Sequence, residues 1–158
     1  MPDRRRKTSA VLNDGMPTAQ EAFRVMLRDE SAPALRRLGF VGSGQIYRLP
    51  DERNWPLLGF QKSMFNTGER LSFTINLSVV SKELWEQRRS VRRLPLRPAP
   101  STFYGPWMWH RRIGHLLPAG DDHWWEVGTA PDPAIVSEVV EAVRDLALPA
   151  MRRQIESC

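Results

Sequence analysis

The sequence predicts an α+β fold: an N-terminal helix, a mostly antiparallel sheet of about five strands and a C-terminal helix, with the helices packed on one face. Three observations predict it. Leu71, Phe73, Ile75, Leu77 and Val79 alternate with Ser72, Thr74, Asn76 and Ser78, the period-two pattern of a half-buried strand. Apolar residues recur with helical spacing near both ends of the chain. Between them, strand-like stretches follow one another across short polar turns, the arrangement of an antiparallel sheet with segregated helices.

Thr18 to Leu38 reads as the first helix. Thr18 and Glu21 form a capping box, Phe23, Met26, Leu27, Leu35 and Leu38 share a face, and Gly39 suits the position just past the end. Pro33 predicts a kink or two short helices meeting near Ser31-Ala32. Phe40-Val41 and Gln45 to Leu49 form a first strand, with Gly42-Ser43-Gly44 as a bulge or bend; no strand–loop–helix context supports a phosphate loop there. Trp55 to Ser63 is the second strand. It is joined to Leu71–Val80 by a turn in which Gly68 supplies a positive φ.

Lys82 to Arg89 is a short amphipathic helix with Leu84 and Trp85 inward. Pro95, Pro98 and Pro100 then make an extended, mobile, partly polyproline-II loop. Trp107 to Leu117 and His123 to Val127 read as two further strands of a hairpin around Pro118–Asp122. Asp132 caps the last helix, Pro133 opens it, and Ile135, Val139, Val143 and Leu146 carry its apolar face. Pro149 kinks or ends it, and Met151 to Glu156 adds a further turn or two.

At 158 residues, 41% hydrophobic and 26% charged, the chain suits one globular domain. Residues 1–16 read as a disordered basic tail, and residues 17–158 as a single α+β domain. Met16 directly precedes the domain start and is a candidate initiator, which would place the tail upstream of the protein. No apolar segment follows Arg4–Lys7, so the tail does not read as a secretory signal. The net charge is +5, and the tail's four cations outweigh Asp3 and Asp14 by two, leaving about +3 for the domain. That value serves solubility without requiring a polyanionic partner. Cys158, the lone cysteine, allows no internal disulfide, and a cytoplasmic location is expected.

Phe60-Gln61-Lys62-Ser63, Phe73-Thr74-Ile75-Asn76-Leu77, Arg112-Ile113-Gly114-His115-Leu116 and Trp124-Trp125 occur in this order, after a helix ending in Leu38-Gly39-Phe40. From Ala22 to Pro149 the chain resembles a bacterial domain-of-unknown-function family numbered 4304. Ser78 stands where members usually carry Gly. The resemblance supports the fold and implies no catalytic residues.

Candidate chemistry is sparse. His110, His115 and His123 could ligate a metal, but no thiolate or carboxylate pair completes a set and positions 110 and 115 differ by an odd number on a strand; no metal or cofactor is expected. Ser63 with His110 or His115 would make a nucleophile–base pair, yet no nucleophile elbow or orienting acid accompanies them. Asp121-Asp122 reads as turn chemistry. Of the six tryptophans, Trp124 and Trp125 are adjacent and point to opposite faces, one to the core and one to a surface or groove.

Two binding sites are expected. The polar face of the central hairpin, which antiparallel sheets commonly leave wet, offers Gln61, Lys62, Ser63, Thr74 and Asn76, joined by Arg111, Arg112 and Trp124. The second is a polyanion site of Arg88, Arg89, Arg92, Arg93 and Arg97, against which stands an ordinary solvated loop. The leading reading is a non-catalytic binding module that recognises another protein, as a monomer or weak dimer, away from membranes. Nucleic-acid binding through the Arg88–Arg97 loop is the alternative, and an enzyme using the polar hairpin face ranks third.

Overall fold

The computed structural model describes residues 16–157. All but Met16 of the expected basic tail lies outside the described residues. The elements in order are α1 (Ala19–Met26), α2 (Ala32–Arg37), β1 (Val41–Ser43), β2 (Ile46–Arg48), β3 (Asn54–Lys62) and β4 (Leu71–Ser81). They continue with α3 (Lys82–Val91), β5 (Trp109–Arg112), β6 (Trp125–Val127), α4 (Pro133–Ala142) and α5 (Leu148–Ser157). The fold is α+β, with an N-terminal and a C-terminal helical unit packed on the same face of an antiparallel sheet.

Both helical units continue through their prolines. Thr18 Oγ1 accepts from the Glu21 N–H at 3.2 Å, starting α1 as expected. Two short α-helical segments meet at Ser31-Ala32, as expected, but without a break between them. The junction is a π turn: α1 widens at Leu27–Ser31 and runs on as α2, with the Ala32 N–H reaching back five residues to the Leu27 carbonyl. Pro33 has no N–H, and its ring would press on the carbonyl of Asp29 four residues back; one extra residue in the preceding turn relieves both problems. The C-terminal unit repeats the device. α4 passes through a π turn at Val143–Ala147 into α5, the Leu148 N–H reaching back five residues to the Val143 carbonyl directly before Pro149, which has no N–H to offer the Asp145 carbonyl. Pro149 therefore ends nothing.

The sheet order is β1-β2-β3-β4-β5, with β6 also on β4, and every pairing is antiparallel. Gly42-Ser43-Gly44 is not a bulge: Ser43 pairs with Ile46, and Gly44, at φ +62°, takes the first central position of a tight β1–β2 hairpin, where a left-handed residue is required. Gly68 does not supply a positive φ. The β3–β4 connection is held by side chains instead, Thr67 Oγ1 accepting from Glu69 and Arg70 and Asn66 Oδ1 from Ser72.

The expected hairpin between the last two strands does not exist. β5 pairs with Asn76–Val79 and β6 with Leu71–Phe73, so the two lie end to end along one edge of β4. The chain leaves that edge at Ile113, where a 3₁₀ turn (Ile113–Leu116) replaces the predicted strand, and returns only at Trp125.

The alternation of β4 sorts the two faces. Leu71, Phe73, Ile75, Leu77 and Val79 pack with Leu58 and Phe60 against Phe23, Leu27, Leu35, Val139, Val143 and Met151 from the helices. Phe73 lies 4.9 Å from the Phe23 ring and 5.5 Å from that of Trp125. Burial of this apolar stripe is the main favourable term in folding.

Candidate functional site

The polar face of the central hairpin is covered, not wet. Thr74, Asn76 and Ser78 are 0%, 1% and 0% exposed. β4 ends in Ser81, whose Oγ accepts from the Leu84 N–H and caps α3, so the chain folds straight back over this face. Trp85 is wholly buried there and joins Val80 and Met108 in a second small core flanked by Trp55, Leu94, Tyr104 and Trp107. The proline-rich stretch is no free excursion. Trp85 Nε1 donates to the Pro95 and Leu96 carbonyls, both at 3.2 Å, and Tyr104 Oη accepts from the Ala99 N–H at 2.9 Å.

An unmade buried hydrogen bond costs more than a made one contributes, and Thr74 and Asn76 find partners; among the described residues Ser78 Oγ has none. Thr74 Oγ1 donates to the His123 carbonyl at 2.7 Å, and Asn76 Nδ2 donates to Gln61 Oε1 at 2.6 Å. Asn76 stands opposite Arg112 in register. Arg112 Nη1 donates to Asp122 Oδ2 at 2.8 Å, Trp124 Nε1 to the same oxygen at 3.0 Å, and the Arg112 guanidinium lies 5.1 Å from the Trp124 ring centroid. Asp122 is thus more than turn chemistry. Burial alone would push its carboxyl up, but the Trp124 hydrogen bond and the Arg112 charge and hydrogen bond outweigh it and hold the group below its ordinary value.

The structure brings together Gln61, Thr74, Asn76, Arg112 and Trp124. It does not bring Lys62 or Arg111 to them, because strand alternation turns both to the other face: Lys62 pairs with Phe73 and Arg111 with Leu77. Ser63 lies at the end of the hairpin, where its Oγ accepts from the Phe65 N–H. Trp125 enters the core and Trp124 stays half-buried.

A sequence model described as Domain of unknown function (DUF4304) matches residues 31–153, from the first π turn through all six strands into α5. The chain belongs to the DUF4304 family. No curated protein and no solved structure matches it.

In this DUF4304 chain the three histidines separate. His110 faces Ser78 across the strand pair, under a stacked Phe103 ring 5.9 Å away. His115 is exposed in the 3₁₀ turn and so has no strand face at all, and His123 meets the Trp125 ring edge-on. Ser63 and His110 stand opposite Ser72 and Ser78, six residues apart on β4, a separation of about 20 Å that excludes proton transfer between them. Burial holds the His110 imidazole below its ordinary value; the Pro100 backbone opposes this, and Arg112 and Arg111 add to it.

The arginine cluster divides between α3 and the loop beyond it. Arg88 sits 4.9 Å from the Trp107 ring, Arg97 lies 5.3 Å and Lys82 4.6 Å from that of Trp55, and Arg89 pairs with Glu86 at 3.0 Å. Arg92 and Arg93 are exposed. Sequence reasoning missed a further group. Arg24, Arg28 and Arg36 from the first helical unit and Lys62 from the end of β3 line one cavity of about 480 Å³. The four-residue spacing of Arg24 and Arg28 was the one signal available.

Proposed function

We propose that this DUF4304 chain is a non-catalytic binding module that recognises an acidic, apolar-studded segment of another protein through the surface of α3 and the stretch after it. One observation carries the reading: large bare apolar side chains interleave with arginines there. Val91, Leu96 and Phe103 are 81%, 67% and 64% exposed, among Arg88, Arg92, Arg93 and Arg97. Arginine and aromatic residues are the usual anchors of protein interfaces, and exposed apolar patches commonly mark them. Guanidinium groups accept a carboxylate bidentately while neighbouring apolar side chains meet the partner's apolar residues.

Trp55 and Trp107 already carry cations over their rings, which disfavours them as base-stacking platforms. The module is placed in the cytoplasm as a monomer or weak dimer, in keeping with its lone Cys158. Among the described residues no helix is long and apolar enough to cross a membrane.

The test titrates the full chain with a peptide alternating Asp/Glu with Leu/Phe, a peptide of equal charge lacking the apolar residues, and a single-stranded oligonucleotide. Tightest binding to the first peptide, lost in an R92E/R93E/L96D variant, is the expected result. Tighter binding of the oligonucleotide, or unchanged peptide binding in the variant, overturns the reading.

A further inference from the structure

We propose that the cavity between the first helical unit and the β1–β2 hairpin is a binding site for a small organic phosphate, a monoester with an apolar body. Its volume, about 480 Å³, lies in the range of small-molecule sites. Its floor is apolar: Phe23, Leu27 and Ala32 are all nearly inaccessible. Arg24, Arg28, Arg36 and Lys62 bring four cations to its walls, against Glu21 alone among the carboxylates.

Among the described residues ion pairing accounts for only one of these charges. Lys62 continues the alternation of Leu58 and Phe60, so a cation occupies the next position on the strand's core-facing side. Among the described residues neither Arg24, Arg36 nor Lys62 makes an ion pair; Arg28 alone does, with Asp29. Arg24 and Arg28 lie one helical turn apart, a spacing at which like charges repel. A phosphate dianion would relieve that repulsion.

Two features preorganise the site. Arg36 is fixed by its Nε and Nη2 donating to the Gly42 carbonyl at 3.3 and 3.0 Å, which leaves further N–H groups of its fork for an anion. Leu27 and Arg28 reach the cavity from the π turn that Pro33 imposes, which fixes their backbone there. The floor takes the apolar body of the ester, and the cations take its phosphoryl oxygens.

The test is calorimetric titration of the full chain at low salt with phenyl phosphate, inorganic phosphate and phenol. Phenyl phosphate is expected to bind at least tenfold more tightly than inorganic phosphate, with phenol not binding. Lys62→Met and Arg24→Gln are each expected to weaken phenyl phosphate at least tenfold; both side chains are exposed, and circular dichroism checks their folding. The R92E/R93E/L96D variant is expected to bind it as the parent does, which separates this site from the α3 surface. Absence of phenyl phosphate binding at millimolar concentration, equal affinity for the two phosphates, or unchanged affinity in the folded variants would overturn the proposal.

Discussion

Gly59 lies directly beneath Pro100: a β-carbon on Gly59 would stand 2.6 Å from Pro100 Cγ and 3.0 Å from Ser101 Oγ. Gly59 pairs with Asn76, so this contact is where the proline-rich stretch rests on the polar face of the hairpin. Gly59→Ala is expected to lower stability by about 1–3 kcal/mol, the usual range for overpacking. It should also expose residues 92–104 to proteolysis. Urea denaturation and limited trypsin digestion would read the two effects, and an unchanged digestion pattern would contradict the packing.

Trp85 ties α3 to the same layer through a buried ring and a forked hydrogen bond to two carbonyls. Trp85→Ala is expected to cost about 3–5 kcal/mol, as large aromatic truncations in cores do. Chemical denaturation checks this. A loss below 1 kcal/mol would mean that the second core contributes little.

Thr74 has one buried donor and one partner, the His123 carbonyl. Thr74→Val keeps the shape and removes the donor, leaving that carbonyl without its bond, and is expected to cost about 1–2 kcal/mol. The return of the chain to β6 should loosen with it. Hydrogen exchange at Trp124 and Trp125 would rise in the variant.

His110 supplies a pH dependence. Its folded-state value is depressed by burial, so the unfolded chain binds the proton more readily. The contribution is present in full above the ordinary imidazole value near 6.5 and is lost as pH falls from there through the depressed folded value. His110→Gln is expected to flatten that acid limb. Urea midpoints measured across the acid range, in parent and variant, test the sign; a parent that gains stability on acidification there would refute it.

The strongest local patterns were legible without a structure. The alternation of Leu71–Val79 fixed both the strand and its core face, and Thr18, Asp132 and Trp85 occupy the cap and core positions that their chemistry predicts. The errors have one physical source. Hairpin signals in Pro118–Asp122 are local, whereas β5 and β6 answer to a distant edge of β4 that offers room for both. The prolines at 33 and 149 signal a lost hydrogen bond, yet packing of both helical units on one sheet holds each helix together through a π turn.

By itself, then, the sequence determined the α+β class, the apolar face of the central hairpin and the positions of the helices, because those follow from periodicity and capping within a few residues. Only the tertiary structure decided what covers the polar face. Its side chains read as solvated because they are short and neutral, and they become buried because Trp85, brought back by the turn at Ser81, and Pro100 and His123, from further along the chain, close over them, the His123 carbonyl accepting from Thr74. Strand alternation turned Lys62 away from Gln61, and only the packing of the first helical unit on that face put it in the company of Arg24, Arg28 and Arg36. The α3 surface is built from neighbours in the chain, residues 88–103, and so was legible; the cavity is not, because its walls come from helix, hairpin and strand.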